Sequence, residues 1–363
     1  NENSFSFIYS DKNSNENLKN ETILYNKKPI YKPDIFYIMP DYFIGNPYLL
    51  NKFKYDYIIE KQLNKLGFQT INNSHSNGSS TFMSISHLFE SNYFMKDKMI
   101  LDNKLKNKLY KLWENTEFYN FLNKNDYNFN IVSSNNYFCD YENDNCFSNN
   151  DNFFNFVVTF LRKTPLIYVA DKLIQINLLP PIFDTNYPEF EFLKNFNEYT
   201  TYENPSFYYI HSYLAYGRPF RDAECNKIND RIYLNEDIKQ VYIENYKCVE
   251  KILFNLVELI LNKFNDEVII IIQSDHGTFF ANQSTTKFEN LTTDNINESF
   301  QNFTSFKLPV FCSNLNNIQS LTQVNVFPLL YNCMTQSNIN FKPDKYFWGF
   351  HNSDYIMEIK NLY

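Results

Sequence analysis

Glycine is scarce in this sequence, with six in 363 residues. No GxGxxG fingerprint and no phosphate-binding P-loop occur, so nucleotide chemistry by those routes is not indicated. Long hydrophobic runs are absent too. The nearest, Val268 to Ile272, has the length of a strand, and nothing reaches the roughly 18 residues that a membrane span requires. Positive charge is in deficit: 33 Lys and Arg face 41 Asp and Glu, for a formal net charge of −8. A nucleic-acid backbone needs a Lys/Arg surplus on some face, and no basic cluster stands out, so no nucleic-acid partner is expected. The six cysteines include no CxxC pair.

Aromatic residues, by contrast, are abundant at 19%. They come with many Asn, Lys and Ile, a bias expected of an AT-rich genome rather than of a base-stacking surface. The apolar fraction of 44% is enough for the core of one large α/β domain. An even cysteine number, with Cys139 and Cys146 enclosing the polar loop DYENDN, favours disulfides and an oxidising compartment. The sequons at Asn20, Asn282, Asn290 and Asn302 are expected by chance in so Asn-rich a chain.

Residues 1–32 read as a polar N-terminal extension, and 33–363 as a single domain. Ile35 to Met39, bounded by prolines, reads as a buried strand with Asp41 just past its end. Residues 48–66 have helical apolar spacing and stop at Gly67. FQTI follows as a short strand, then the polar loop NNSHSNGSS. Thr81 opens a helix with Phe82, Ile85, Leu88 and Phe89 on one side. FNIVSS and residues 206–214 read as strands, residues 236–265 as a long amphipathic helix, and VIIIIQ as a buried strand. KLPVFCS (307–313) reads as a late strand, and VNVFPLLYNC (324–333) as a helix start. Strands alternating with helices predict an α/β fold, a mostly parallel central sheet with helices on both faces. Ligands of such sheets bind beyond the carboxyl ends of the strands. Asp41, His211 and Asp275–His276 all fall at or near such ends.

Ser274-Asp275-His276-Gly277 is the strongest local signal. An Asp–His pair at a strand end offers a carboxylate oxygen and an imidazole nitrogen to one divalent ion, and Gly277 permits a tight turn and close backbone approach. Asp41 alone is an ordinary turn residue; the pairing with Asp275 gives it weight. Thr81 alone is an ordinary N-cap, but near a metal its hydroxyl becomes a candidate nucleophile.

These segments together resemble a known family. PDIFYIMPDYF, GFQTINNSHSNGSSTFMSISHLF, FYYIHSYLAYGRPF, VIIIIQSDHG and VNVFPLLYN are similar to successive blocks of bacterial membrane-associated sulfatase-like hydrolases and transferases of the alkaline-phosphatase superfamily. They span residues 33 to about 348 in the family's order. The resemblance implies an alkaline-phosphatase-like fold. It implies one divalent metal ion (Mn, Zn, Ca or Mg) held by Asp41, Thr81, Asp275 and His276, with Thr81 attacking phosphorus or sulfur. Asn77 is then a candidate for binding the transferred group's oxygens, and His211 a catalytic candidate. Arg218 is a candidate for an anionic substrate. Tyr216 stands where the family has a histidine that contacts the substrate or protonates the leaving group. No Cys-x-Pro-x-Arg signature is present, which disfavours formylglycine-dependent sulfate hydrolysis. The implied partner is a phosphorylated or sulfated envelope lipid or glycan outside the cytoplasm. The chain opens at Asn1 rather than Met, which is compatible with a membrane anchor in a segment absent from this sequence. The alternative is a catalytically degraded relative of the same fold that serves as a binding or assembly module, a reading that Tyr216 favours.

Overall fold

The computed structural model describes residues 25–46, 48–93, 95–102, 105, 116–133, 146–147, 192–200, 202–213, 215, 221–226, 228, 238–279, 290–315, 318–350, 353–360 and 362. In chain order the elements are β1 (Ile35–Pro40), α1 (Tyr48–Phe53), α2 (Ile59–Lys65), β2 (Gln69–Thr70), α3 (Thr81–Glu90), α4 (Glu117–Lys124), β3 (Asn128–Ser133) and β4 (Cys146–Phe147). They continue with β5 (Ser206–Ser212), α5 (Ile238–Phe264), β6 (Ile269–Gln273), α6 (Thr293–Phe300), β7 (Thr304–Lys307), α7 (Val326–Thr335), β8 (Tyr346–Trp348) and β9 (Met357–Ile359).

Seven strands form one sheet in the order β2-β7-β6-β1-β5-β3-β4. β6, β1, β5, β3 and β4 run parallel, while β7 is antiparallel to β6 and β2 antiparallel to β7. β8 and β9 form a separate antiparallel pair. The fold is thus the expected α/β arrangement with a mostly parallel sheet.

β1, β5 and β6 are buried along their whole length because both faces of the sheet are covered. Side-chain alternation divides them between two cores. Phe36, Ile38, Tyr208, Ile210, Ile270 and Ile272 pack with Leu63 of α2 and with Tyr246, Leu253 and Val257 of α5. Tyr37, Met39, Phe207, Tyr209, Ile269 and Ile271 pack on the other face with Leu88 of α3, Phe121 of α4 and Leu330 of α7. Fully burying each such side chain stabilises the fold by about 1.5–3 kcal/mol. The parallel register sets Met39 beside His211 and Ile38 beside Ile272, so β1, β5 and β6 end together at one rim of the sheet.

Two expected elements differ. The helix expected over 48–66 is broken, because Lys54 adopts a left-handed φ of 56° and separates α1 from α2. Glu250 of α5 supports the restart, accepting the Ile58 and Ile59 amides at 2.8 and 3.0 Å, where a helix N-terminus favours negative charge. Gly67, with φ 83°, does follow the end of α2 as the sequence predicts. The late strand is Thr304–Lys307 rather than 307–313, and Val310–Leu315 forms 3₁₀ turns instead. Pro309 has no N–H to give a ladder, so the strand ends before it.

Tyr25 is buried against Phe118 and Tyr331, and the Ile30 and Tyr31 amides donate to the Met334 carbonyl. The end of the polar extension therefore lies on the domain. Disulfides join Cys225 to Cys248 and Cys312 to Cys333, with Cα separations of 5.0 and 5.1 Å. The expected Cys139–Cys146 bridge involves Cys139, which lies outside the described residues. No helix among the described residues is long and apolar enough to cross a membrane.

His87, on the buried side of α3, packs against Tyr93 and Phe347. Burial drives its pKa from the ordinary 6.5 to about 3. Between those values the unfolded chain binds a proton that the folded chain refuses, so stability falls as pH falls through this window. The slope is about 1.4 kcal/mol per pH unit. Denaturant midpoints measured from pH 7 to pH 4 are expected to fall more steeply for the native chain than for His87→Leu.

Candidate active site

Asp41, Asp275 and His276 come together at the sheet rim. β1 delivers Asp41, whose amide continues the ladder by donating to the Ser212 carbonyl at 2.8 Å. β6 delivers Asp275 and His276 through the turn that follows Gln273. His276 Nε2 lies 3.4 Å from Asp41 Oδ1 and 3.2 Å from Asp275 Oδ2, with all three side chains almost fully buried. Thr81 Oγ1 lies 3.2 Å from the same nitrogen.

The His276 tautomer follows from its other nitrogen. Nδ1 is 2.7 Å from the Gly277 carbonyl, which only accepts, so Nδ1 carries the proton and Nε2 points its lone pair at the oxygens. Asp41 Oδ1 and Asp275 Oδ2 are buried with no hydrogen-bond partner. Burial and the adjacent Asp275 hold the Asp41 carboxyl well above the usual carboxylate range. Two oxygen acceptors and one nitrogen acceptor within 4.8 Å of one another form a set that repels itself and suits a divalent cation. The residues present therefore fit the metal that the sequence implies.

The turn holding these groups is tightly braced. Gly277 donates to the Ser299 carbonyl at 3.0 Å, and a Cβ there would overlap the Glu298 carbonyl oxygen. Thr278 Oγ1 donates to the buried Glu298 carboxylate at 2.7 Å. Gln323 Nε2 donates to the Ser274 and Asp275 carbonyls, while its Oε1 accepts the Asn77 amide. Gln323 thus ties the Asp275 turn to the loop that precedes Thr81.

Thr81 is the first residue of α3, and the capping position belongs to Ser80. The Ser80 hydroxyl does not cap; it donates to the Gly349 carbonyl at 2.8 Å. Ser79 Oγ accepts the Gly349 amide at 2.9 Å. The nucleophile candidate is therefore seated against the segment after β8. Half-buried, Thr81 stands at a helix N-terminus, where the Met83 amide donates to the Ser80 carbonyl at 3.0 Å and the amides before it precede the helix's own acceptors.

The Asn77 side chain is spent internally: Nδ2 donates to Tyr93 Oη and the Lys345 carbonyl, both at 3.0 Å, and Oδ1 accepts the Val324 amide at 2.9 Å. It anchors its loop instead of offering its amide to a substrate. His211 is fully buried in β5 beside Tyr209 and Tyr213. Burial lowers its pKa to about 4, against the opposing pull of Asp275, so it is neutral near pH 7. Tyr216 and Arg218 lie outside the described residues. The sequence reading missed Gln323, and also Tyr42 and Phe279, whose rings flank His276. No local pattern marks any of the three.

No family model and no curated protein sequence matches the chain. Solved structures do. The C-terminal periplasmic domain of EptC from Escherichia coli, in complex with Zn, superposes with a TM-score of 0.56 at 10% identity, over 92% of this chain and 95% of that one. Lipoteichoic acid synthase LtaP from Listeria monocytogenes gives 0.50 at 13% identity, over 86% and 75%. The integral membrane lipooligosaccharide phosphoethanolamine transferase A from Neisseria meningitidis gives 0.51 at 10% identity, over 84% of this chain. The chain spans 55% of that protein's length. The likeness shows the fold: this chain has the α/β fold of these proteins, as the resemblance of its motifs implies.

Gly277→Ala forces backbone against backbone, so it is expected to exceed the usual overpacking cost of about 1–3 kcal/mol. Gly349→Ala would meet the flexible Met83 Sδ at 3.3 Å and Ile356 Cγ1 at an ordinary 3.7 Å, and is expected to cost less than about 1 kcal/mol. Thermal melts of the two variants check the contrast.

Proposed function

We propose that this chain is an extracytoplasmic, metal-dependent transferase or hydrolase of phosphate or sulfate esters on an envelope lipid or glycan, with Thr81 as nucleophile. The observation that carries this reading is Thr81 Oγ1, 3.2 Å from His276 Nε2, at a helix N-terminus beside two buried carboxylates. The similar structures are named for phosphoethanolamine transfer and lipoteichoic acid synthesis, which supports an envelope phosphoester as substrate. It also supports a location outside the cytoplasm.

In this reading Asp41, Thr81, Asp275 and His276 would hold the ion. A divalent ion supplies a Lewis acid for the ester oxygens and acidifies the neighbouring hydroxyl. Thr81 Oγ1 attacks phosphorus or sulfur, the bond to the leaving oxygen breaks, and the proton lost from Thr81 ends on the departing alcohol. The ester now on Thr81 passes to water or an acceptor hydroxyl, whose proton restores the threonine. The α3 N-terminus faces the negative charge that develops on the equatorial oxygens. Arg218 and Tyr216 keep their assignment to the anionic substrate and to the position of the missing histidine. With the Asn77 amide engaged elsewhere, charge stabilisation rests on the ion and the helix N-terminus.

Incubation with an activated phosphodiester, bis-p-nitrophenyl phosphate, is expected to leave a nitrophenyl-phosphoryl adduct on the Thr81 peptide, read by tandem mass spectrometry. Thr81→Ala is expected to lose the adduct and at least about 1,000-fold in turnover while keeping its melting temperature. Turnover unchanged in Thr81→Ala would refute the nucleophile, and a native chain with neither turnover nor adduct would favour the binding-module reading.

A further inference from the structure

The chain leaves β1 through a turn in which three successive carbonyls are each held. Tyr242 Oη donates to the Tyr42 carbonyl at 2.7 Å, and Tyr246 Oη to the Ile44 carbonyl at 2.7 Å. Ser274 Oγ donates to the Phe43 carbonyl between them at 2.6 Å. Tyr242 and Tyr246 are four residues apart on α5, so their side chains share a face and reach the same stretch. This bracing surrounds an unfavourable backbone. Tyr42 has φ 59°, in the left-handed region, which costs a residue with a Cβ about 1–2 kcal/mol. Glycine or asparagine would occupy that turn more easily.

The Tyr42 ring meets the edge of the site. It stands edge-on to the His276 imidazole at 4.7 Å and 72°. Phe279 stacks on the same imidazole at 4.9 Å and 27°. Tyr42 and Phe279 also meet edge-to-face, at 5.1 Å and 86°. The imidazole therefore sits in an aromatic corner, with its Nδ1–H fixed on the Gly277 carbonyl. These contacts together aim Nε2 at Asp41, Asp275 and Thr81.

We infer that Tyr42 is a positioning residue for the metal-binding imidazole, and that Tyr242 holds it in its left-handed conformation for that purpose. The inference rests on the metal site proposed above. Strain kept next to a site, at a position where a smaller residue would be easier, calls for a compensating contact, and the ring against His276 is that contact. Ligands of a metal owe their orientation to such surrounding groups, whose loss costs roughly 10- to 100-fold in affinity.

The test is calorimetric titration of Mn²⁺ and Zn²⁺ into the full chain, with thermal melts in parallel. Tyr42→Phe keeps the ring and is expected to bind metal within about twofold of the native chain. Tyr42→Gly relieves the backbone, so it is expected to melt no lower than the native chain and yet to bind about tenfold more weakly or worse. Tyr42→Asn, also at home in the left-handed region, carries the same expectation and decides the matter if the glycine variant folds poorly. Tyr242→Phe is expected to weaken binding in the native background and to have no further effect beside Tyr42→Gly. Native-like affinity in folded Tyr42→Gly or Tyr42→Asn would overturn the role of Tyr42. Additive losses in the double variant would overturn its dependence on Tyr242. A native chain that binds neither ion would overturn the metal reading itself, a result distinct from either.

Discussion

Asp41 and Asp275 turn carboxylate oxygens toward the lone pair of His276 Nε2 in a space nearly closed to water, and these acceptors repel one another. Burying them without a counter-charge costs several kcal/mol or obliges Asp41 to keep its proton, in line with its raised pKa. The surroundings oppose that repulsion at every side. Glu298 and Ser299 fix the turn after His276, Gln323 fixes the carbonyls before it, and Ser274, Tyr242 and Tyr246 fix the turn that carries Asp41. A cation changes the sign of the central interaction, and the braced frame then becomes a ready-made cradle for it.

The sheet makes this arrangement feasible. Five parallel strands bring their carboxyl ends to one rim, and hydrophobic side chains on both faces hold them in register. Most of the buried apolar side chains lie in those two cores, which reach up to the polar rim through Met39 and Phe43. The rim can therefore hold unfavourable groups: opposed carboxylates, a left-handed tyrosine and a half-buried threonine at a helix start. Thr81 comes from another part of the chain, and its loop is held by Asn77, Ser79 and Ser80 through bonds to residues more than 200 positions away.

Much of this framework was legible from local pattern. VIIIIQ and IFYIM are apolar runs that only a doubly covered sheet accommodates, and the polar residues following them had to lie at its rim. Thr81 was legible as a helix start because Ser/Thr residues precede a 3.6-residue apolar period. What could not be read depends on distant partners. The break at Lys54 is supported by Glu250, about 190 residues on in sequence. The Asn77 amide looked available because Tyr93, Val324 and Lys345 are remote from its loop. Gln323 carries no local signature, and the left-handed Tyr42 is an aromatic where sequence rules expect glycine or asparagine. The strand over 307–313 was misread because VF and LP mimic a strand, while Pro309 ends the ladder.

The most direct test of the central claim is the metal content of the purified chain, by elemental mass spectrometry beside Asp275→Asn. The account predicts about one equivalent of a divalent ion in the native chain and its loss in the variant, with the fold retained. No bound metal after incubation with Mn²⁺, Zn²⁺, Ca²⁺ and Mg²⁺ in turn would contradict it, because the repulsion among Asp41, Asp275 and His276 would then have some other remedy.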